Sequence, residues 1–440
     1  MTEKNGREFP QEHHLGEESE KPSPEKKERH AGHFNPKSAV DVTPTKVGAQ
    51  SSDHVLDPGF RRDDGKNWWT SLLFALAVVF PLAAAQGFHH DHVPLAIGRA
   101  AWLVFIGIIA FQILHTGRTS RWRALFFIVL AWAFIAHFKA FLLGLGKSPF
   151  FSPEVQEVPY CHIAMASTFL NTLYQQYLAV QSGSWKLWGP LTLGFLWLAL
   201  TLAIGQAWCS WGCFYGGLDE GFSRILRKPV WKSFRLPPRW RDLPAAILLF
   251  TALASLSSML PVFCLWLCPL KCTTAFLDTY GPVRWIQISL FTGIGAAALV
   301  VLPVVLKKRV FCGLICPFGA WQAFFGRVSP FRVTIDPNLC NQCGICVRSC
   351  PTFVLDEGSP ARLEVSSYCN RCGECIDACP TGGINYAILG RECPRPSGGI
   401  LRELLEARTL FVLCALWVGG AVGGAFVPQT LARLAEALCR

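Results

Sequence analysis

The sequence predicts an all-α polytopic membrane protein with a small α+β domain inserted before its last membrane helix. Two observations predict this class: repeated long apolar segments, and two copies of one cysteine pattern in the C-terminal third. The chain has 440 residues, of which 51% are hydrophobic, and a formal net charge of +11. The apolar residues are concentrated in segments of about 20 residues, the length that a bilayer-spanning helix needs. Buried core helices of a water-soluble protein would not explain so many segments of this length.

We expect about seven transmembrane helices, at 68–87, 95–114, 123–144, 188–208, 243–264, 285–306 and 409–427. Most have tryptophan near one end, where aromatic side chains anchor helices at the membrane interface. Residues 67–328 form the predicted membrane domain with six of these helices, and residues 405–430 hold the last helix. Residues 1–66 are polar and poor in aromatic residues, so we predict a disordered N-terminal tail.

Lysine and arginine set the orientation, because basic loops stay in the cytoplasm. Basic groups precede the first helix, separate the second from the third, and follow the fourth and the sixth; their members include Arg61, Arg62, Arg118, Arg123, Arg224, Arg227, Lys307, Lys308 and Arg309. If seven helices alternate, all four groups fall on one face. This predicts a multi-pass protein of the inner (cytoplasmic) membrane, embedded in the lipid bilayer, with the tail and the inserted domain on the cytoplasmic side. Membrane topology and contacts with anionic headgroups explain these basic loops, so we do not expect nucleic-acid binding.

The inserted domain, residues 329–392, contains the pattern C-x2-C-x2-C-x3-C-P twice. This is the bacterial ferredoxin spacing for [4Fe–4S] clusters, in which the fourth cysteine of each run ligates the other cluster. We therefore predict two [4Fe–4S] clusters, one held by Cys340, Cys343, Cys346 and Cys379 and the other by Cys369, Cys372, Cys375 and Cys350. Structural zinc is an alternative, although it prefers paired C-x2-C units that are farther apart. Disulfides are another, but they need an oxidising compartment.

Two C-x3-C pairs lie at predicted helix ends, on the same face as the inserted domain. Cys209 and Cys213 end the fourth helix, and Cys312 and Cys316 follow the sixth. This spacing places two sulfurs on one side of a helical turn, so the four thiolates could converge on one metal ion or cluster. Ordinary buried cysteines are the alternative, since free cysteine is among the most buried residue types.

The run FCGLICPFGAWQ, with the double cysteine repeat that follows it, resembles membrane-bound polyferredoxins of the NosR, NapH and CcoG type. The resemblance covers roughly residues 185–390. Cys312, Cys316 and Pro317 match one C-x3-C-P motif of that family, whereas Phe214 stands where the other motif has proline. The resemblance implies cytoplasmic [4Fe–4S] clusters and a role beside respiratory reductases or in the maturation of metal enzymes.

A third cysteine group lies at the outer end of the predicted fifth helix and comprises Cys264, Cys268 and Cys272. Its i, i+4, i+8 spacing aligns three sulfurs, which would suit a soft metal such as Cu(I). A disulfide or simple packing is the alternative.

Within the predicted helices, His115 and His137 could serve a quinone site, because ionisable residues in membranes are often functional. Satisfied polar packing would explain these histidines equally well.

The sequence therefore predicts a membrane-bound iron–sulfur protein that relays electrons between the quinol pool, or a membrane partner, and a redox partner protein. It favours an electron-transfer component over a stand-alone enzyme. One alternative is a maturation factor whose clusters reduce a metal such as copper for a metalloenzyme. Another is a non-redox docking scaffold that the clusters only stabilise.

Overall fold

The computed structural model describes residues 67–86, 92–142, 161–184, 190–231, 236–269, 281–355, 365–390 and 400–438. The predicted tail at 1–66 lies outside these residues. The longer helices are α1 (Trp68–Gln86), α2 (Val93–Thr116), α3 (Thr119–Leu142), α5 (Phe169–Gln181), α6 (Pro190–Ile204), α8 (Phe214–Ser223), α9 (Leu243–Ser258), α11 (Pro282–Ile294), α13 (Pro317–Phe325), α17 (Ala407–Gly424) and α18 (Val427–Leu438). The shorter ones are α4 (His162–Ser167), α7 (Trp208–Trp211), α10 (Val262–Trp266), α12 (Leu302–Leu306), α14 (Ile345–Ser349), α15 (Glu374–Ala378) and α16 (Ile400–Leu404).

Six stretches among the described residues are long and apolar enough to cross a membrane: Trp68–Gln86, Val93–Thr116, Thr119–Phe138, Phe195–Ser223, Pro282–Leu306 and Ala407–Gly424. The fourth combines α6, a 3₁₀ turn, α7 and α8, and the fifth combines α11, a π-helical segment and α12. The predicted class, a polytopic helical membrane protein, is confirmed.

The segment predicted as the fifth membrane helix, 243–264, differs from the prediction in length. Helix α9 has only 16 residues and ends at Ser258, because the next residue, Met259, has a left-handed φ of 56°. At a rise of about 1.5 Å per residue such a helix reaches about 24 Å, less than the hydrocarbon core of about 30 Å. The short helix α10 then begins after Pro261. Hydropathy alone does not detect this interruption, because the residues on both sides are apolar.

Three of the predicted basic groups lie at the same end of the helices. The Lys307 ammonium donates to the Arg227 carbonyl at 2.9 Å, which joins the segment after α8 to the end of α12. Arg123, near the start of α3, forms an ion pair with Glu220 of α8. The groups after the second, fourth and sixth predicted helices therefore share one end, as the sequence predicts.

Two antiparallel strands, β1 (Phe331–Ile335) and β2 (Ile384–Ile388), close the cysteine-rich module. The module packs on membrane helix α17 through aromatic rings: Phe411 lies 4.4 Å from Tyr386 and 5.5 Å from Phe331. The Phe411 ring also contacts that of Trp211 in α7, with the ring centroids 5.9 Å apart. One apolar core thus extends from the module into the membrane helices, which fixes the position of the module's cysteines relative to α7 and α8.

Candidate functional site

The first of two cysteine-lined cavities lies at the end of the sheet where Ile335 pairs with Ile384. Its walls include Cys340, Cys343, Cys346 and Cys379, and its empty volume is about 380 Å³. The loop turns sharply here because Gln342 and Gly344 have left-handed φ angles of 56° and 67°. This turn lets three sulfurs from one short run reach one cavity.

The second cavity repeats this construction. Its walls include Cys350, Cys369, Cys372 and Cys375, and its empty volume is about 350 Å³. Arg371 and Gly373 have left-handed φ angles of 53° and 80°, matching the turn in the first run. Each cavity thus takes three cysteines from one run and the fourth, which precedes a proline, from the other. These two sets are the ones that the spacing predicts; that they ligate clusters stays a prediction.

The donor sets suit a polynuclear group better than a single ion. Within the described parts of the chain, no group of three or more His, Cys, Asp or Glu side chains is arranged to hold one metal ion. Structural zinc would need four ligands about 2.1–2.3 Å from one centre. Four cysteines spread around a cavity fit a [4Fe–4S] cluster, whose irons are ligated by cysteine thiolates.

Burial controls the protonation of the module's thiols. Burial raises the pKa of Cys369 to about 12 and that of Cys372 to about 11. Because iron binds thiolates, cluster binding at these residues must release protons. At Cys379 burial acts in the same direction, but hydrogen bonds from the Thr381 hydroxyl and the Gly383 N–H outweigh it and lower the pKa.

The two cavities differ in their access to water. In the first, Cys343 is exposed. In the second, Cys350, Cys372 and Cys375 are all buried. The first cavity therefore lies near the solvent, whereas the second lies against the membrane domain.

A buried ion network joins the second cavity to the membrane helices. Arg123 is fully buried and donates through Nε to the Cys372 carbonyl at 2.9 Å and through Nη2 to Glu220 at 3.0 Å. Glu220 also forms an ion pair with Arg309, which is fully buried too. The main-chain N–H of Arg309 donates to the Pro351 carbonyl at 2.7 Å. Although the sequence suggests only topology signals for Arg123 and Arg309, the structure buries both between two cysteine groups.

The four cysteines of the C-x3-C pairs lie on the membrane side of this network. Arg309 Nη1 approaches the Cys209 carbonyl at 3.5 Å. Cys213 and Cys316 directly precede α8 and α13, and both are buried. Cys213 and Cys316 belong to one buried apolar cluster, and the half-buried Cys209 packs against it. The main-chain N–H of the half-buried Cys312 donates to Asp219 of α8 at 2.9 Å. The structure thus brings the two pairs together around α8.

Comparison with protein families assigns both cysteine-bearing regions. A model described as a 4Fe-4S dicluster domain matches residues 332–380, which include all eight cavity cysteines. A model described as a 4Fe-4S binding domain matches three times, at residues 187–232, 243–282 and 288–335. The first and third matches each contain one C-x3-C pair, and the second contains Cys264, Cys268 and Cys272.

Similar curated proteins have ferredoxin-type names. NapH of Escherichia coli, a ferredoxin-type protein, is 34% identical over 20% of this chain and 36% of its own length. MauN of Paracoccus denitrificans, a methylamine utilization ferredoxin-type protein, is 30% identical over 41% of this chain and 61% of its own length. YccM of Escherichia coli, named as a candidate electron transport protein, is 27% identical over 35% of this chain and 44% of its own length. The chain is a 4Fe-4S ferredoxin-type membrane protein related to the NapH, MauN and YccM polyferredoxins.

The matched part spans less than two thirds of each of these three relatives. No solved structure matches the chain. The family models confirm the predicted 4Fe-4S binding domains, and one relative, YccM, is named for electron transport.

His162 contacts one of the cysteines of the C-x3-C pairs, although nothing in the sequence singles it out. Its Nε2 lies 3.1 Å from Cys213 Sγ, and its ring centroid lies 4.6 Å from that of Phe318. It therefore contacts the first turns of the two helices that follow Cys213 and Cys316. The sequence carries little signal for this role, because His162 precedes Cys213 by 51 residues and belongs to no motif.

The third cysteine group is only partly described. Cys268 Sγ lies 3.0 Å from the Tyr215 hydroxyl. Cys264 is half-buried, and Cys272 lies outside the described residues. Tyr215 follows Cys213 by two residues, so the third group lies near the membrane cysteines. Metal binding there stays a prediction.

The two predicted quinone-site histidines differ in environment. His137 is buried in α3, and no hydrogen bond to either of its ring nitrogens is found within the described residues. His115 is exposed at the end of α2 and stacks on Phe111 at 5.2 Å. The structure does not bring these histidines to the cysteine groups, and the quinone site stays a prediction.

Proposed function

We propose that this polyferredoxin relays single electrons between a redox partner protein in solution and the membrane, through two [4Fe–4S] clusters in the module. When bound, the clusters supply one-electron carriers. The chain's residues hold them, exclude water from one and fix both beside the membrane helices. The quinone pool or a membrane protein is the proposed partner on the membrane side.

The observation that carries this proposal is the exchange of the fourth cysteine between the two runs. Cys379 lies with the first run and Cys350 with the second. A zinc or disulfide framework has no need of this exchange, whereas a two-cluster ferredoxin does. The contact of the second cavity with α3 and α8 supports a path into the membrane domain.

The basic groups at the module's end of the helices support a cytoplasmic position for the module, because basic loops stay inside. We propose that residues 67–328 and 405–430 form the membrane part and that residues 329–392 form the cluster-binding module of an inner-membrane protein. A cytoplasmic module would also keep its thiols reduced and available for iron.

The test is iron and sulfide counting with electron paramagnetic resonance (EPR) on the anaerobically purified protein, followed by addition of a quinol. We expect about eight irons per chain, from two clusters with four irons each, and reduction of the clusters by quinol or reoxidation by quinone. Iron content near zero would overturn the proposal. Intact clusters that exchange electrons with neither quinol nor quinone would instead exclude the quinone pool.

A second candidate function is reduction of a soft metal such as copper at the membrane cysteines. It is favoured by the His162–Cys213 contact, since thiolates and imidazole are ligands that copper accepts. Copper counting separates the candidates. Stoichiometric copper that is lost in Cys316→Ser but retained in Cys414→Ser, an exposed cysteine of α17, would support metal handling.

A further inference from the structure

We propose that electrons pass between the module and the membrane domain at the second cavity, and that Arg123 and Arg309 hold the reduction potential of its cluster above that of the first. Electrons then run from the water-exposed cavity inward to the membrane cysteines. This inference rests on the proposed function, because it requires both clusters.

The positions of Arg123 and Arg309 support this route, because both residues contact the second cavity and also the segment that carries Cys209 and Cys213. Arg123 donates to the Cys372 carbonyl at 2.9 Å and, through Nη1, to the Ser210 carbonyl at 3.0 Å. The main-chain N–H of Arg309 donates to the Pro351 carbonyl. The Arg309 side chain donates to the Ser210 hydroxyl at 3.0 Å. Ser210 lies between Cys209 and Cys213. The second cavity and the C-x3-C group are therefore separated by these two side chains.

The charges around the second cavity support a higher reduction potential for its cluster. Reduction adds one negative charge to a cluster, so a nearby cation favours the reduced state and raises the reduction potential. Arg123 and Arg309 are both fully buried and share one carboxylate, Glu220, so the three side chains carry a net positive charge. Nearby, the Lys308 ammonium donates to the Cys350 carbonyl at 2.6 Å.

Glu220 and Asp219 of α8 are two of the anions that work against this effect. Glu220 contacts the tips of the guanidinium groups, and its third partner, Arg224, also pairs with Glu374 at 2.9 Å. Asp219 accepts the main-chain N–H of Cys312 at 2.9 Å, on the membrane side. Two further anions lie within the second run: Glu374, and Asp377, which accepts the Ser120 N–H at 2.7 Å. Arg123 and Arg309 are the buried cations that reach the second cavity from the membrane side.

The first cavity has no equivalent buried pair within the described residues. Arg348 donates to the Cys343 carbonyl at 3.2 Å, but it is exposed, so water and salt screen its charge. Burial by itself would lower the potential of the second cluster, because it disfavours added charge. The same burial removes the water that would screen the charges of Arg123 and Arg309. These two charges therefore raise the reduction potential of the second cluster more strongly than exposed charges would.

The test is an EPR-monitored redox titration of the full-length holoprotein and three variants. Arg309→Gln removes a buried cation and should shift the higher of the two midpoint potentials downward, leaving the lower one in place. Glu220→Gln keeps an acceptor oxygen but removes the anion, and should shift the same potential upward. Arg348→Gln is the matched control at the first run and should shift neither potential by a comparable amount.

The opposite potential shifts expected in Arg309→Gln and Glu220→Gln distinguish an electrostatic role of the ion network from a structural role. A merely structural role would loosen the site in both Arg309→Gln and Glu220→Gln and shift the potential in the same direction. That result, or unchanged potentials in both variants, would overturn the inference while leaving the two clusters intact. If Arg309→Gln does not fold, Arg123→Gln takes its place, and Glu220→Gln alone still tests the sign. Absence of both cluster signals in the wild-type protein would instead refute the proposed function.

Discussion

His162 Nε2 lies 3.1 Å from Cys213 Sγ, a contact between residues 51 positions apart in the chain. The pair is enclosed by aromatic rings, with Phe318 at 4.6 Å and Trp197 at 5.6 Å from the imidazole centroid. An imidazole and a thiol in such a setting can share a proton or bind one metal ion together. The chemistry of the membrane cysteines therefore depends on a residue outside their motifs.

Replacing His162 with phenylalanine should leave the module's clusters in place and slow their reaction with the membrane side. The ring keeps the packing against Phe318 but cannot hydrogen-bond Cys213. We expect unchanged iron content and a clear loss of the rate at which quinol reduces, or quinone reoxidises, the clusters in stopped-flow absorption. His92→Phe, at an exposed histidine that directly precedes α2, is the control. A parallel loss of iron in His162→Phe would show a structural role instead.

The exchange of cysteines between the runs predicts an unusual pattern in double variants. Cys350→Ser with Cys372→Ser removes two ligands of the same cavity, although they come from different runs. Cys350→Ser with Cys346→Ser removes one ligand from each cavity, although both lie in one run. We expect the first pair to lose about half of the iron and the second to lose nearly all of it, because four ligands are needed per cluster. Equal losses in the two double variants would contradict this pairing.

The module could be predicted in detail from the sequence because its geometry is local. Each cysteine run sets its own turn, at Gln342–Gly344 and Arg371–Gly373, and spacing alone identifies it. The helix count was less predictable, since hydropathy does not detect the left-handed Met259 that ends α9. The roles of His162 and Arg309 could not be predicted, because they arise only when distant helices pack together.

Removal of the Glu220 carboxylate should destabilise the protein strongly. Glu220→Leu leaves Arg123 and Arg309 buried without an anionic partner, and breaking a buried ion pair in this way costs about 3–5 kcal/mol. Glu374 pairs with the partly exposed Arg224, so Glu374→Leu should cost only about 0–1 kcal/mol. Denaturant unfolding in detergent, compared between the two variants, measures the difference. Similar free energies of unfolding would show that the network is not a stabilising contact.

Gly373, the one glycine of the second run, should tolerate substitution poorly, because its left-handed backbone is combined with close neighbours. Its φ is +80°, and an added Cβ would lie 2.9 Å from the Tyr386 hydroxyl and 3.3 Å from Thr119. Gly390 has a similar φ of +76°, but an added Cβ there would have no neighbour within 4 Å. Substitution of Gly390 therefore measures the cost of the left-handed backbone alone.

Gly390→Ala should therefore lose about 1–2 kcal/mol of stability, the cost of a left-handed alanine. Gly373→Ala should lose more and also weaken the signal of the second cluster, because its Cβ would push the second run away from α3. Unfolding curves give the first quantity and EPR the second. If both variants lose the same free energy and keep both cluster signals, the module does not dock on α3 as closely as the 3.3 Å approach to Thr119 requires.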